Sequence, residues 1–322
     1  PTIASAFEQG IAAYALLDYG SLGEDASHQL ARQAGREILR DLAILEPGES
    51  SVEDDLLGAA ACAAAMVYIR LGPMQEGVAL MEAAASWGEE RGLWSLRLRC
   101  KVANMLRVSS RGEEAKAALS GARERGVDGS GVDGLVEYHL LQALLGSSSS
   151  DHGATRRHLE EALALSRQQG DRAIEGVVLG RLGDLDRQVG RSLDARARLE
   201  ASLELVERYG SEASRAAIQM YLALLHQQQG ALREALACYQ ASLELRRETG
   251  DELLVGITLD NMANTLRGLG RLDEGEAASL EALSCFRQRG YRRGEGFANN
   301  TLGLVAIGLD EGDRLEAVAE RS

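Results

Sequence analysis

Histidine and cysteine are the residues of this chain from which a metal site or a nucleophilic centre could be built. The histidines are His28, His139, His152, His158 and His226, and the cysteines are Cys62, Cys100, Cys238 and Cys285. No two histidines are four positions apart, and no two cysteines are separated by two residues, the spacings that short metal motifs use. We therefore expect no metal site, no cofactor and no enzyme activity, with the cysteines as buried, reduced thiols.

Other segments that could bind ions or phosphate lack the required spacing. Residues 268–275 are rich in glycine but fit neither phosphate-binding motif, so they predict a turn between helices. Residues 127–134 lack the alternating oxygen ligands and final glutamate of a calcium loop and predict a flexible connector. Three arginine doublets are flanked by acids and predict solvated faces: Arg156-Arg157, Arg246-Arg247 and Arg292-Arg293.

Charge and hydropathy limit the classes of partner. The 322 residues include 35 Lys and Arg against 49 Asp and Glu, a formal net charge of −14. The negative electrostatic potential of such a chain opposes binding to the phosphate backbone of nucleic acid. The longest apolar run, residues 56–69, is too short to cross a bilayer, and the N-terminal segment 1–20 lacks a signal peptide's basic start. We expect a cytoplasmic protein with no nucleic-acid or membrane partner, and we interpret the chain as a segment of a larger protein.

Glycine recurs at every twentieth position over the second half of the chain. Seven consecutive positions of this lattice are glycine: Gly170, Gly190, Gly210, Gly230, Gly250, Gly270 and Gly290. The stretches between them have helical length and composition. Glycine suits the residue after a helix because it adopts left-handed backbone at no steric cost. The lattice predicts helices that end at these glycines, with left-handed backbone at most of them.

The helices are of two alternating types, so the full repeat spans two lattice intervals and contains two helices. In the first type a large apolar residue precedes a small one: Leu182-Gly183, Leu222-Ala223, Met262-Ala263 and Leu302-Gly303. In the second type a small residue precedes leucine: Ala162-Leu163, Ser202-Leu203, Ser242-Leu243 and Ala282-Leu283. A small residue at a fixed position lets the next helix approach closely. The pattern predicts antiparallel helix pairs that must stack to bury their apolar faces.

These positions resemble the tetratricopeptide repeat. The match runs through Leu182, Gly183, Gly190, Ala195, Leu199, Ser202 and Leu203, and again through Leu222, Ala223, Gly230, Ala235, Tyr239, Ser242 and Leu243. It weakens at Gly275 and Ser279, and a Gly-Asp pair often replaces the family's proline. That variant resembles repeats of Pins-type and kinesin-light-chain scaffolds and of MalT-like bacterial regulators. The resemblance implies an all-α fold, a right-handed superhelical solenoid of stacked antiparallel helix pairs.

The same register predicts the organisation of the whole chain. Residues 1–46 predict a divergent helix pair, residues 56–154 degenerate repeats and residues 155–322 regular repeats. In the last unit a turn is expected at residues 310–312, and the segment that follows, 313–322, is too short for a complete second helix. We expect this truncated repeat to expose apolar surface and to promote association of the chain with itself.

The first helix of each pair is expected to line a concave groove, as the resemblance implies. Residues flanking the Leu-small pairs are the groove candidates, namely Arg181, Asp184, Tyr221, Leu224, Asn261, Asn264, Thr301 and Leu304, with Asp260, Arg267 and Asn300 widening the polar strip. Residues 261–265 are similar to the Asn-Leu-Gly-Asn-Thr stretch of Pins-type repeats, which implies that the two asparagines contact a bound peptide. The alternative, that Asn264 bonds only within the scaffold, is open at this point.

Three functional hypotheses follow. The preferred one is a protein-interaction scaffold whose groove holds a peptide or helix of a partner or of the parent chain. A ligand-sensing regulatory domain of a multidomain bacterial transcription or signalling regulator is the alternative, favoured if polar groups converge in a closed pocket. An enzyme would need a cluster of perturbed ionisable residues, for which the sequence gives no indication.

Overall fold

The computed structural model of the chain describes residues 74–91, 95–109, 111–124, 131–146 and 151–319. Within these ranges the chain is helical apart from short turns and has no strand, which confirms the predicted all-α fold class. The expected helix pair at residues 1–46 lies outside the described residues. No helix among those described is long and apolar enough to cross a membrane.

The helices of the described ranges are short except for the last. In chain order they are α1 (Met74–Arg91), α2 (Ser95–Val108), α3 (Gly112–Glu124), α4 (Gly131–Gly146), α5 (His152–Gln169), α6 (Arg172–Gln188), α7 (Ser192–Tyr209), α8 (Glu212–Gln228), α9 (Leu232–Glu248), α10 (Glu252–Gly268), α11 (Leu272–Gln288) and α12 (Arg292–Ala319). Helix α4 begins inside the segment predicted as a connector, so residues 131–134 are helical.

The chain divides between Gly170 and Asp171 into two compact units. In the first unit, α4 packs against α2, α3 and α5. In the second unit, α6 pairs with α7, α8 with α9 and α10 with α11, while the first helices also meet, α6 with α8 and α10 with α12. The second unit thus has the pairing of first and second helices that the sequence predicts.

The Gly-Asp pairs end one helix and begin the next. At Gly250 the backbone is left-handed, with φ of +66°, and its N–H bonds to the carbonyl of Arg247. The next residue, Asp251, accepts a hydrogen bond on its side chain from Leu254 N at 3.1 Å. Glycine therefore ends α9. The aspartate side chain accepts a hydrogen bond from one of the N–H groups in the first turn of α10 that have no partner within the helix.

Six lattice glycines have the predicted left-handed backbone: Gly170, Gly190, Gly230, Gly250, Gly270 and Gly290. Gly210 differs, because its φ of −88° and ψ of 170° are extended. A side chain at Gly210 would collide with α7, since an added Cβ would lie 2.7 Å from Val206 O and 2.6 Å from Ser214 Oγ. Close approach, not backbone handedness, requires glycine at this position.

Small residues allow the paired helices to approach each other as predicted. An added Cβ on Gly183 would lie 2.8 Å from Leu199 Cγ on the paired helix. The small serines also bond across the pair: Ser202 Oγ donates to Gly176 O at 2.6 Å, and Ser242 Oγ donates to Ala216 O at 2.8 Å. Each bond ties a second helix to the backbone of its first helix, so the small position fixes the distance between the helices.

Helix α12 corrects the expected end of the last repeat. It runs without interruption from Arg292 to Ala319, so there is no turn at residues 310–312 and no separate truncated second helix. Three large apolar side chains of α12 are exposed: Phe297 at 50%, Leu304 at 39% and Ile307 at 58%. In α10 the small residue of the first-helix motif, Ala263, is fully buried, whereas its counterpart Gly303 in α12 is exposed.

Candidate partner-binding surface

All the predicted groove residues lie on first helices of the second unit. Arg181 and Asp184 are on α6, Tyr221 and Leu224 on α8, Asp260, Asn261, Asn264 and Arg267 on α10, and Asn300, Thr301 and Leu304 on α12. We refer to these eleven side chains as the first-helix strip. Most of them are partly exposed, and Arg267, Asn300 and Leu304 are exposed.

Three members of the first-helix strip meet between α10 and α12. Thr301 Oγ1 donates to Asp260 Oδ1 at 2.8 Å and accepts from Asn264 Nδ2 at 3.1 Å. Thr301 itself is only 2% exposed. Sequence reasoning placed Thr301 in the groove as a contact residue, but its burial makes it a positioning residue that holds the Asp260 and Asn264 side chains in place.

The two asparagines bond partly within the scaffold. Asn264 Nδ2 also donates to Asp260 O at 3.2 Å, and Asn261 Nδ2 donates to Ile257 O at 3.0 Å. Both N–H groups of Asn264 are therefore used inside the chain. The side-chain oxygen Oδ1 of Asn264, and that of Asn261, accept no hydrogen bond within the described chain, whereas the backbone carbonyl of Asn261 accepts from Thr265 Oγ1 at 3.1 Å. The side-chain amide nitrogens of both asparagines thus bond within the scaffold, while their Oδ1 atoms are acceptors without a donor in the described chain.

Asp260 is a half-buried carboxylate with no ion pair among the described residues. Burial raises the pKa of Asp260 above its usual value, and the hydrogen bond from Thr301 offsets part of this effect. The carboxylate charge is therefore only partly compensated. A basic or N–H-bearing group that approached the Asp260 carboxylate would find in it both an opposite charge and a hydrogen-bond acceptor.

The α6 end of the strip is compensated internally. Asp184 accepts from Arg187 Nε at 2.9 Å and from Gln188 Nε2 at 2.7 Å. Arg181, in contrast, makes no hydrogen bond or ion pair within the described residues. The first-helix strip therefore carries a partly compensated carboxylate on α10 and, on α6, a guanidinium without a hydrogen-bond or ion-pair partner among the described residues.

Two buried charges of the second unit were not predicted from the sequence. Asp186 is fully buried and paired with Arg198 across α6 and α7. Arg246, expected on a solvated face, is only 4% exposed. Its Nη1 donates to Leu254 O at 2.9 Å and its Nη2 lies 3.1 Å from Met220 Sδ, so the guanidinium lies between α8 and α10.

Arg246 is an incompletely satisfied cation. Its Nε has no hydrogen-bond partner in the described chain. Burial lowers the pKa of its guanidinium, and the Asp251 carboxylate offsets part of this effect. The repeat register could have predicted this burial, because Arg246 occupies the same repeat position as Val206 and Phe286, which are both buried.

The cysteines among the described residues form no disulfide bond. Cys100 and Cys285 are buried and Cys238 is partly buried. Cys285 Sγ lies 3.6 Å from Glu252 Oε2, and burial followed by the nearby Glu252 carboxylate raises the pKa of this thiol to about 11. A thiol with this pKa is protonated at neutral pH and is a weak nucleophile. Cys62 lies outside the described residues.

Comparison with known proteins identifies the repeats. Residues 214–288 match the family model described as tetratricopeptide repeat. A search of curated proteins finds no match. This match identifies tetratricopeptide repeats over residues 214–288.

Solved structures share the fold at low sequence identity. A Rap protein complexed with competence and sporulation factor superposes with a TM-score of 0.56 at 12% identity, over 96% of this chain and 98% of that one. NprR in complex with its cognate peptide NprX superposes with a TM-score of 0.53 at 13% identity, over 80% of this chain and 72% of that one. A signal-transduction ATPase with a tetratricopeptide-repeat sensor from Pyrococcus horikoshii superposes with a TM-score of 0.55 at 13% identity, over 93% of this chain and 49% of that one. These likenesses establish the helical-solenoid fold.

Proposed function

From the premise that the chain carries tetratricopeptide repeats, we propose that it is a protein-interaction module that holds a peptide or helix on the first-helix strip. The bound segment belongs to a partner protein or to the parent chain. The observation that carries this proposal is the bonded group between α10 and α12. There Thr301 fixes Asp260 and Asn264 so that a carboxylate and an amide oxygen are left for a ligand.

The chemistry of these groups describes the ligand. An extended peptide offers a backbone N–H at every second residue on each side, and the Asn261 and Asn264 oxygens are suited to accept them. The half-buried Asp260 carboxylate suits a basic side chain. The formal net charge of −14 favours the approach of the same kind of ligand at long range. We therefore expect a neutral-to-basic peptide.

Two similar structures support this proposal. The Rap protein and NprR were each solved with a bound factor or peptide, as their descriptions state. The alternative is a ligand-sensing regulatory domain, and the repeat sensor of the Pyrococcus horikoshii ATPase supports it. The alternatives differ in ligand class, because a sensor domain of this kind would bind a small molecule rather than a peptide segment.

A selection experiment tests the proposal directly. Peptides are selected from a random library displayed on phage against the wild-type chain, and their affinities are then measured for three variants. Asp260→Asn and Asn261→Ala should each weaken binding by about tenfold or more. Gln240→Ala removes an exposed amide from the second helix α9 and should leave the affinity unchanged. Selected peptides that bind all three variants equally well would contradict the assignment of the first-helix strip.

A further inference from the structure

The exposed side of α12 carries a seam with the spacing of a coiled coil. Phe297, Leu304 and Ile307 are its large apolar residues, and all three are exposed. With Asn300 among them, the four residues follow one another at intervals of three, four and three positions. This is the a/d spacing with which two helices pack along a shared line. We refer to these four residues as the α12 seam, and α12 packs on α10 and α11 through its other side, where Val305 is fully buried.

Two glycines beside the α12 seam leave room for another helix to approach closely. An added Cβ on Gly296 or Gly303 would meet no atom within 4 Å. The counterpart of Gly296 in α10 is Gly256, where an added Cβ would lie 2.8 Å from Phe286 Cε1 of the paired helix α11. The repeat therefore uses this position for close contact between helices, and α12 leaves it accessible in the described chain.

The two ends of α12 differ in charge. Exposed arginines lie at its start and just before it, namely Arg287, Arg289, Arg292 and Arg293. The one ion pair that they make among the described residues joins Arg287 Nε to Glu295 Oε2 at 3.9 Å. The sequence of the later part of α12 is mainly acidic, with Asp310, Glu311, Asp313 and Glu316 against Arg314. One end of the helix is therefore basic and the other acidic.

An arginine at the basic end is held beside the α12 seam. The Arg293 guanidinium lies over the Phe297 ring, 5.5 Å from its centroid. Glu311 follows Arg293 by 18 positions, which is five helical turns, so the two residues share one side of α12. The seam is thus flanked by a positive charge at one end and by a negative charge at the other.

A second copy of the chain in the opposite direction matches both the apolar and the charged groups. If two α12 helices lie antiparallel with the two-fold axis at the level of Leu302, Phe297 of one copy faces Ile307 of the other. In the same arrangement Arg293 of one copy faces Glu311 of the other. A parallel pair would instead bring the arginines of both copies together, which like charges disfavour. Charge complementarity therefore selects the antiparallel arrangement.

We propose that α12 is a self-association surface, which pairs antiparallel with α12 of a second copy of this chain around a two-fold axis. Such a pair is closed, because each copy uses the same patch and leaves no second patch for a third copy. A single helix pair buries less area than permanent dimers do, and a polar residue in the seam, Asn300, lowers stability. The dimer is therefore reversible, with a Kd of about 10 to 100 µM.

The dimer does not depend on the proposed peptide-binding role, although the two surfaces overlap. Asn300 and Leu304 belong both to the α12 seam and to the first-helix strip, so pairing covers the α12 end of the strip. The strip residues on α6, α8 and α10 are outside the seam. A ligand that reaches Leu304 should consequently compete with the second copy, whereas a ligand confined to α6, α8 and α10 should not.

Exchange of charges between copies tests the proposal. Arg293→Glu and Glu311→Arg each place like charges at both ends of an antiparallel pair, so each variant should dimerise at least about fivefold more weakly than the wild type in sedimentation velocity. An equal mixture of the two variants restores opposite charges at both contacts. The mixed dimer should therefore form with an affinity within about threefold of the wild type, and a fluorescent label on one variant identifies it.

Matched variants keep this test decisive. Arg233→Glu changes an exposed arginine on α9 and should leave the dimer unchanged. A chain that carries both Arg293→Glu and Glu311→Arg should dimerise like the wild type, and this recovery shows that neither substitution prevents folding. A wild-type chain that stays monomeric up to about 1 mM would overturn the proposal. So would a mixture, or a doubly substituted chain, that associates no more tightly than the single variants.

Discussion

At the residue scale, the second unit contains charged groups whose effect on folding stability can be distinguished from their availability for binding. Asp260 and Arg246 are both partly uncompensated, one beside a surface and the other inside the helix stack. A desolvated charge destabilises the fold unless a partner compensates it. A partner at the surface can compensate Asp260, whereas Arg246 is out of reach. The two residues should therefore respond differently to substitution.

For Asp260, stability and binding should change in opposite directions. Burial raises the folded-state pKa of this acid above its unfolded value. Its ionised form is therefore disfavoured by folding at neutral pH, and this penalty disappears as the pH falls through the folded pKa. Asp260→Asn should raise the free energy of unfolding at pH 7, lose that advantage towards acid pH, and weaken peptide binding.

Urea unfolding of the wild-type chain and of Asp260→Asn at several pH values measures this difference in the free energy of unfolding. Glu244→Gln, which removes an exposed acid on α9, is the control and should have no comparable pH-dependent effect. Loss of stability in Asp260→Asn at neutral pH would mean that the carboxylate is a structural hydrogen-bond partner and not a binding group.

At position 246, an apolar residue of similar length should give a more stable fold than the native arginine. Arg246→Met removes a buried cation whose Nε is unpaired, and Leu254 O keeps a partner because Thr258 Oγ1 donates to it at 2.8 Å. We expect stabilisation of about 1 kcal/mol in guanidinium unfolding, whereas exposed Arg247→Met should change the free energy by less than about 0.5 kcal/mol. Clear destabilisation of Arg246→Met would indicate that the bonds to Leu254 O and Met220 outweigh the cost of burying the charge.

At the element scale, the glycines that end the helices serve two different physical purposes. Gly250 has left-handed backbone and open space around its Cα, whereas Gly210 has ordinary backbone and no space for a Cβ. A sequence lattice shows that glycine recurs but not which of these constraints applies. The expectation of left-handed backbone at most lattice positions is therefore confirmed at six of the seven, and Gly210 is the exception.

Asparagine substitutions distinguish the two kinds of glycine. Asparagine tolerates left-handed backbone better than β-branched residues do, so Gly250→Asn should cost clearly less than Gly250→Val, for which we expect about 1 to 2 kcal/mol. At Gly210 any side chain collides with α7, so Gly210→Asn should be at least as costly as Gly210→Ala. Thermal unfolding of the four variants measures these differences. The distinction would be contradicted if Gly250→Asn were as costly as Gly250→Val, or if Gly210→Asn were clearly less costly than Gly210→Ala.

Periodicity also explains which features the sequence could predict. Helix pairs, their small-residue contacts and the first-helix strip all recur with the same period, so their positions follow from the register. Arg246 and the Asp186–Arg198 pair are departures from the repeat. Their contacts depend on which side chain crosses between particular helices, which a periodic pattern does not specify.

At the scale of the whole molecule, the exposed face of α12 is an apolar surface suited to association between copies of the chain. Phe297, Leu304 and Ile307 are large apolar residues, and an added Cβ on Gly296 or Gly303 would meet no atom within 4 Å. Exposed apolar surface of this kind is normally covered in a complex. Concentrated chain should therefore form dimers or larger species.

Light scattering over a concentration series measures this association. Leu304→Glu combined with Ile307→Glu should shift the equilibrium towards monomer by about tenfold or more, whereas Leu193→Glu, on the exposed side of α7, should not. Leu193 is 85% exposed and is therefore a matched apolar control. Oligomers that persist in the double variant would place the contact on another face.

The packing of each helix on its neighbours in the chain has a consequence for the rate of folding. In the second unit the contacts join helices that are adjacent in sequence or one helix apart, so the mean sequence separation of contacting residues, the contact order, is low. Little loop-closure entropy is lost before such contacts form, and low-contact-order chains fold in microseconds to milliseconds. The second unit should consequently refold quickly after dilution from denaturant, with structure able to start at any pair and spread to its neighbours.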